Sequence, residues 1–207
     1  MRVSLLVLTG LLMSGLLLSG GTARAAPADW QASYDAEARG DARGALEALE
    51  VLQGEEREGY LFHLRRAWLR YILGAYEDAA ADYEAAAALA PRAVEPLLGL
   101  TLPQMGLRRW SDAMQTADAA LALSPGNYLA ASRRAWCLYS LGRYGEAAEA
   151  YRGVLASYPS DQEMKSGLAW SLHLQGRSSE AAALFEAILA IAPDHANARA
   201  GLEASRR

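Results

Sequence analysis

Leu141-Gly142-Arg143-Tyr144-Gly145-Glu146-Ala147-Ala148-Glu149-Ala150-Tyr151-Arg152-Gly153-Val154-Leu155-Ala156-Ser157-Tyr158-Pro159 decides the fold of this chain. Tyr144, Ala147, Tyr151 and Val154 recur at spacings of three and four, which sets them on one face of a helix. Gly142 breaks the helix before it. Pro159 ends this one, because proline has no N–H to donate and its ring clashes with the preceding turn. The stretch is also one copy of a repeat. Pro91, Pro125, Pro159 and Pro193 lie 34 residues apart, and so do Gly40 and Gly74, and Gly142 and Gly176, with Arg108 in the missing step. Ala45, Ala79, Ala113, Ala147 and Ala181 keep the same register, as do Tyr76, Trp110 and Tyr144. Several tracks sharing one period do not arise from composition, even in an alanine-rich chain. Each unit reads as two antiparallel helices with a tight turn, and since neither buries its stripe alone, the units stack.

The 207 residues are 52% hydrophobic, 21% charged and 8% aromatic, enough to bury a sizeable core and unlike a disordered charged tail. Twenty Lys and Arg against 24 Asp and Glu give a net charge of −4, which argues against nucleic acid as a partner. Cys137 is the single cysteine, so no disulfide forms within the chain.

The chain starts with a targeting pattern. Met1-Arg2 is followed by an apolar run, Val3 to Leu18, and by a small-residue stretch containing Ala23-Arg24-Ala25. As a helix that run spans roughly 24 Å, short of the roughly 30 Å hydrocarbon core, so a signal peptide over 1–25 is expected rather than a permanent anchor. The mature chain then starts near Ala26, exported to the periplasm or secreted, with no integral membrane segment after cleavage. No cysteine stands at the cleavage site to carry a lipid. Without Arg2 and Arg24, 18 basic face 24 acidic residues, and the charge falls to −6.

Leu141-Gly142-Arg143-Tyr144-Gly145-Glu146-Ala147, followed by Tyr151 and Pro159, resembles the tetratricopeptide repeat, whose 34-residue period it shares. The resemblance covers 26–207, in units at 26–59, 60–93, 94–127, 128–161 and 162–193, with a terminal capping helix over 194–207. The first unit is degraded: Arg57 replaces the closing proline, Ala42 the aromatic after the turn and Leu49 the later tyrosine. The resemblance implies an all-α, right-handed α-solenoid of about five helix-turn-helix repeats, first helices lining a concave groove. It also implies recognition of another protein without catalysis or cofactor.

The resemblance further implies that the ninth and twelfth places of each first helix face the groove. The ninth holds Tyr34, Trp68, Leu102, Trp136 and Trp170, and the twelfth Glu37, Tyr71, Met105, Tyr139 and His173. Large aromatics with polar tips are frequent interface anchors, though a tryptophan beside the turn also serves to stiffen the stack. Arg65-Arg66 and Arg133-Arg134 alternate with Gly99-Leu100 and Gly167-Leu168, so the true period is two units, about 68 residues. Arg66 and Arg134 occupy a place where the family has a buried leucine, and a buried guanidinium there needs a carboxylate or carbonyl partner. Arg65 and Arg133 are placed to grip a carboxylate at the groove edge, or to pair with neighbouring acids. Trp68 and Trp136 replace the asparagine of the family's carboxylate clamp, which disfavours a chaperone tail as ligand.

Pro103 falls inside a first helix and predicts a kink or early end there, followed by an irregular turn because Arg108 replaces the usual glycine. In Arg39-Gly40-Asp41, an integrin-type tripeptide, Gly40 and Asp41 hold the helix-ending and cap places. Cys137 reads as a small buried hydrophobe. His63, His173 and His195 lack metal-ligand spacing, and no phosphate loop or nucleophile elbow is present. Carboxylates such as Glu47, Glu50, Asp78, Asp82, Glu146 and Glu149 lie three or four apart on second helices and read as solvated faces. The leading expectation is an exported adaptor whose groove residues, with Arg65 and Arg133, bind an extended segment of another envelope protein. The alternatives are a self-assembling module forming homo-oligomers and, behind it, a carbohydrate-binding cell-wall module.

Overall fold

The computed structural model describes residues 28–52 and 58–207. The expected signal peptide and Arg57 lie outside them. Among the described residues the chain is all-α: α1 (Ala28–Ala38), α2 (Ala42–Glu50), α3 (Tyr60–Ile72), α4 (Tyr76–Leu89), α5 (Glu95–Gly106), α6 (Trp110–Leu123), α7 (Tyr128–Ser140), α8 (Tyr144–Ser157), α9 (Gln162–His173), α10 (Ser178–Ile191) and α11 (Ala196–Ser205). Five antiparallel pairs stack as an α-solenoid with α11 on the end. None of these helices is long and apolar enough to cross a membrane.

The two connections of each unit follow from backbone chemistry. Inside a pair, Gly40, Gly74, Gly142 and Gly176 take φ of 75–81°, a left-handed conformation that a Cβ disfavours. There the N–H of Gly142 bonds to the Tyr139 carbonyl and that of Arg143 to the Leu138 carbonyl, both at 3.0 Å, closing the carbonyls that a helix end leaves open. Between pairs the residue before each proline leaves the helical region: Ala90, Ser124, Tyr158 and Ala192 have φ from −143° to −126° and ψ from 65° to 84°. Asn127, Asp161 and His195 then cap the next helix through their side chains, and inside the first pair Asp41 caps α2 in the same way. Gly40 and Asp41 are thus both engaged in a turn.

Ala45, Ala79, Ala113, Ala147 and Ala181 are all fully buried, the small residue at which the two helices of a pair approach each other. First helices contact one another along the series α3, α5, α7, α9 and α11, whereas second helices pack on the first helices beside them. The stack therefore curves with first helices on its inner side.

Exchange of volume between stacked pairs accounts for the two-unit alternation. A Cβ on Gly99 would stand 2.1 Å from the Tyr83 ring, one on Gly167 2.4 Å from Tyr151, and one on Gly201 2.1 Å from Phe185. Where the first helix carries arginine instead, the facing place of the preceding second helix holds a smaller residue, Leu49 before Arg65 and Ala117 before Arg133. A ring is matched to a glycine and an arginine to an aliphatic side chain, which keeps the spacing even.

Three expectations are corrected. Helix α5 does not end at Pro103 but runs to Gly106, with Pro103 buried inside it. Arg133 and Thr101 both donate to the Leu98 carbonyl beside the interruption, and the packed neighbours outweigh one missing hydrogen bond. The following turn is regular: Arg108 takes φ of 59° and makes the same pair of bonds, Arg108 N–H to Met105 at 3.0 Å and Arg109 N–H to Gln104 at 2.8 Å. A non-glycine residue pays strain there, so Arg108→Gly is expected to stabilise the chain by about 1 kcal/mol, seen as a higher urea midpoint at unchanged slope. Asp82, finally, does not belong to a solvated face. It is 3% exposed and accepts from Arg66 (2.8 and 2.6 Å) and Arg70 (2.7 Å), with His63 Nδ1 at 3.2 Å. Arg66 thereby has the carboxylate its burial demands. Arg134 pairs instead with Asp118, both partly exposed.

Candidate partner-binding groove

The i, i+3 spacing on each first helix brings its rings together. Trp68 lies 5.8 Å from Tyr71, Trp136 stacks on Tyr139 at 5.5 Å with 19° between planes, and Trp170 meets His173 edge-on at 5.7 Å. Tyr71 and Tyr139 each touch a further ring at the start of the next helix, Tyr76 and Tyr144. The tyrosines are therefore wedged in place, and the tryptophans form the outer rim.

The three tryptophans have different surroundings. Trp68 is 38% exposed and its indole N–H donates to Glu37 at 2.6 Å. Trp170 is half-buried, edge-on to Phe185 at 5.5 Å, and donates to Asn197 of α11 at 2.9 Å. Trp136 is 45% exposed, and the described residues place no acceptor at its N–H. Trp136 and Trp170, from α7 and α9, flank a cavity of about 440 Å³. Tyr151 and Gly167 form its back, and Met105, Tyr139 and Met164 add apolar lining. Its polar edge is Arg133, Glu163, Ser132 and Asn197.

The two arginines placed at the groove edge differ as well. Arg65 is buried, donates to the Ser33 hydroxyl and carbonyl, pairs with Glu37 and lies 4.0 Å over the Tyr34 ring. Of the two readings, Arg65 thus takes the second, the pair with a neighbouring acid of the same chain. Burial opposes the Glu37 charge, yet the bonds from Trp68 and Arg65 and the Arg65 charge together hold its carboxyl below the usual value. Arg133 is half-buried and donates to the Thr101 hydroxyl at 2.9 Å and to the Leu98 carbonyl. Burial pulls its guanidinium below the usual value, and the groups opposing this are Tyr71, Tyr83 and Cys137, none of them a carboxylate.

Of the remaining groove residues, Met105 lines the Trp136 cavity, whereas Leu102 is half-buried and stays outside it. His173 is turned to Ser178 and Ser205 at 3.4 and 3.3 Å. Tyr34 is 51% exposed and borders a separate hollow of about 330 Å³ with Arg65, Trp68, Tyr83, Glu95 and Gly99. Cys137 is fully buried, and burial pushes its thiol up to about 11, the reverse of a reactive cysteine. Asn197, which orients Trp170 and is itself held on Ser166 at 3.1 Å, holds the place of Glu163 one period later, and its residue type alone does not tell that it reaches back to the tryptophan of the preceding first helix.

Residues 104–162 and 140–196 match the tetratricopeptide repeat family. No curated protein matches the chain. Among solved structures it is similar to MamA residues 41-end from Desulfovibrio magneticus RS-1, at 15% identity over 81% of this chain and 95% of that one, with a TM-score of 0.75. A second MamA structure gives 18% identity over 78% and 88%, with a TM-score of 0.71. The thermophilic tetratricopeptide protein TTC0263 of Thermus thermophilus gives 20% identity over 86% and 96%, with a TM-score of 0.61.

Proposed function

We propose, from the tetratricopeptide repeats matched over residues 104–196, that the chain is a non-catalytic protein–protein interaction scaffold. It binds an extended segment of another exported or envelope protein in the groove formed by its first helices. One observation carries the reading: the cavity between α7 and α9 exposes Trp136, a large apolar ring with an N–H that the described residues leave without an acceptor. Anchors of this kind, desolvated inside a rim of neutral contacts, supply most of the energy of an interface. The partner segment lays an apolar side chain against Trp136, Trp170 and Met164, while Tyr139, fixed between Trp136 and Tyr144, backs the anchor. Trp68 and Tyr71 continue the track toward the first unit. Export to the periplasm or secretion rests on the amino-terminal targeting pattern.

Photo-crosslinking in the native host, with the probe in place of Trp136, tests this. A discrete adduct with a different protein is expected, and adducts to the chain itself alone would replace the reading with self-assembly. For the partner so captured, Trp136→Ala is expected to weaken binding by about 2 kcal/mol or more while helicity stays intact. Titration calorimetry reads that loss, and unchanged affinity removes Trp136 as the anchor.

A further inference from the structure

We propose that the Trp136 cavity is a receptor for a glutamate side chain on an otherwise apolar partner segment, its two carboxylate oxygens taken by the Arg133 guanidinium and the Trp136 indole N–H. This deepens the groove reading above and rests on it.

The hollow at Trp68 and the cavity at Trp136 are one site built twice, 68 residues apart. Arg65 corresponds to Arg133, Trp68 to Trp136, Tyr83 to Tyr151, Glu95 to Glu163 and Gly99 to Gly167. In both copies the arginine is moored on a hydroxyl at the same place of the preceding first helix. Arg65 Nη2 lies 3.2 Å from Ser33 Oγ, and Arg133 Nη1 lies 2.9 Å from Thr101 Oγ1.

The first copy is filled from within. Glu37 gives one oxygen to Arg65 and the other to Trp68 Nε1, so a single carboxylate bridges guanidinium and indole. Met105 holds the place of Glu37 in the second copy, and a thioether cannot make that bridge. Among the described residues Arg133 accordingly has no carboxylate partner and Trp136 Nε1 no acceptor. A half-buried guanidinium without a counter-charge is costly, and a ligand that supplies one recovers the deficit. Glu163, the one carboxylate lining the cavity, is largely exposed and lies 3.3 Å from His195 Nε2. Because the chain fills its own first copy with a glutamate, glutamate is the side chain the geometry accepts. The apolar walls of Met105, Met164 and Trp170 call for apolar residues on either side of it.

Trp136 offers a direct readout, its indole N–H signal in a proton–nitrogen correlation spectrum, assigned by its loss in Trp136→Phe. The intact chain is titrated with a peptide blocked at both ends that carries glutamate between leucines, with its glutamine counterpart, and with the glutamine peptide bearing a free C-terminal carboxylate. The glutamate peptide is expected to move the Trp136 signal saturably, with the blocked glutamine peptide weaker by about tenfold or more. Met105→Glu, which copies Glu37, is expected to shift that signal without ligand and to reduce the peptide response by about tenfold or more. Equal response to the two blocked peptides, no response to any peptide, or an unmoved signal in Met105→Glu each overturns the proposal. A free C-terminal carboxylate serving as well as the glutamate would assign the site to a chain end instead. Self-association that Met105→Glu abolishes, seen by light scattering, would assign it to a second copy. Crosslinking at Trp136 judges the groove separately: a heterologous adduct together with equal glutamate and glutamine responses keeps the groove and removes the glutamate.

Discussion

Replacing Asp82 by alanine is expected to lower the stability of the chain by about 3 kcal/mol, the range found when one side of a buried ion pair is removed. The cost does not lie in the lost contacts alone. Asp82 is the common acceptor of Arg66 and Arg70 and a neighbour of His63, and its removal leaves two guanidinium groups, 16% and 22% exposed, facing each other without a counter-charge. Asp82→Asn keeps the shape and removes only the charge, so it is expected to recover little of the loss. Urea unfolding followed by circular dichroism reads both. An effect below about 1 kcal/mol would place the aspartate in the class of surface pairs, whose contribution is of that size.

Tyr151→Ala is expected to cost about 3–5 kcal/mol, because it empties a large buried site and because Gly167 opposite has no side chain to fill the void. The same change removes the back wall of the Trp136 cavity, so partner binding weakens with stability. The alternation of volumes gives this prediction a second half. Ala117 opposite Arg133 shows that the chain accepts the small-then-large order, so Gly167→Leu, overpacked on its own, is expected to restore part of the stability when combined with Tyr151→Ala. Hydrogen exchange of α8 and α9 localises the effect to that junction. A double variant no more stable than Tyr151→Ala alone would mean that volume matching is not the rule of the stack.

The solenoid is legible in the sequence because its punctuation is periodic. Proline, glycine and alanine at one interval each do a job that depends on backbone geometry and on close helix approach, and both are local enough to read from residue type. Pro103 and Arg108 misled the reading for the converse reason: each breaks a local preference by a few kcal/mol at most, and packing on both sides of the unit outweighs that. Asp82 looks solvated in the sequence because helical spacing tells which residues share a face but not which side chains the facing helix brings to it. Arg65 and Arg133 look identical in register. Their difference lies one repeat upstream, in Glu37 against Met105, and becomes visible only when the solenoid brings Arg65 of α3 to side chains of α1 and Arg133 of α7 to those of α5.

The matching of ring to glycine and of arginine to aliphatic side chain also imposes a parity on the array. Excising one unit, 94–127, would drive the Tyr83 ring against Arg133, and excising 128–161 would leave Ala117 facing Gly167 across a void. Excising 60–127 or 94–161 instead joins Leu49 to Arg133 or Tyr83 to Gly167, pairings the chain already tolerates. Phe185 against Gly201 follows Tyr151 against Gly167 with a second ring-to-glycine junction, so the alternation holds up to the Tyr151 junction and stops at the last unit. Recombination can therefore lengthen or shorten the alternating part of this array only in steps of two, whereas the last unit, flanked by ring-to-glycine junctions on both sides, can be lost or copied singly.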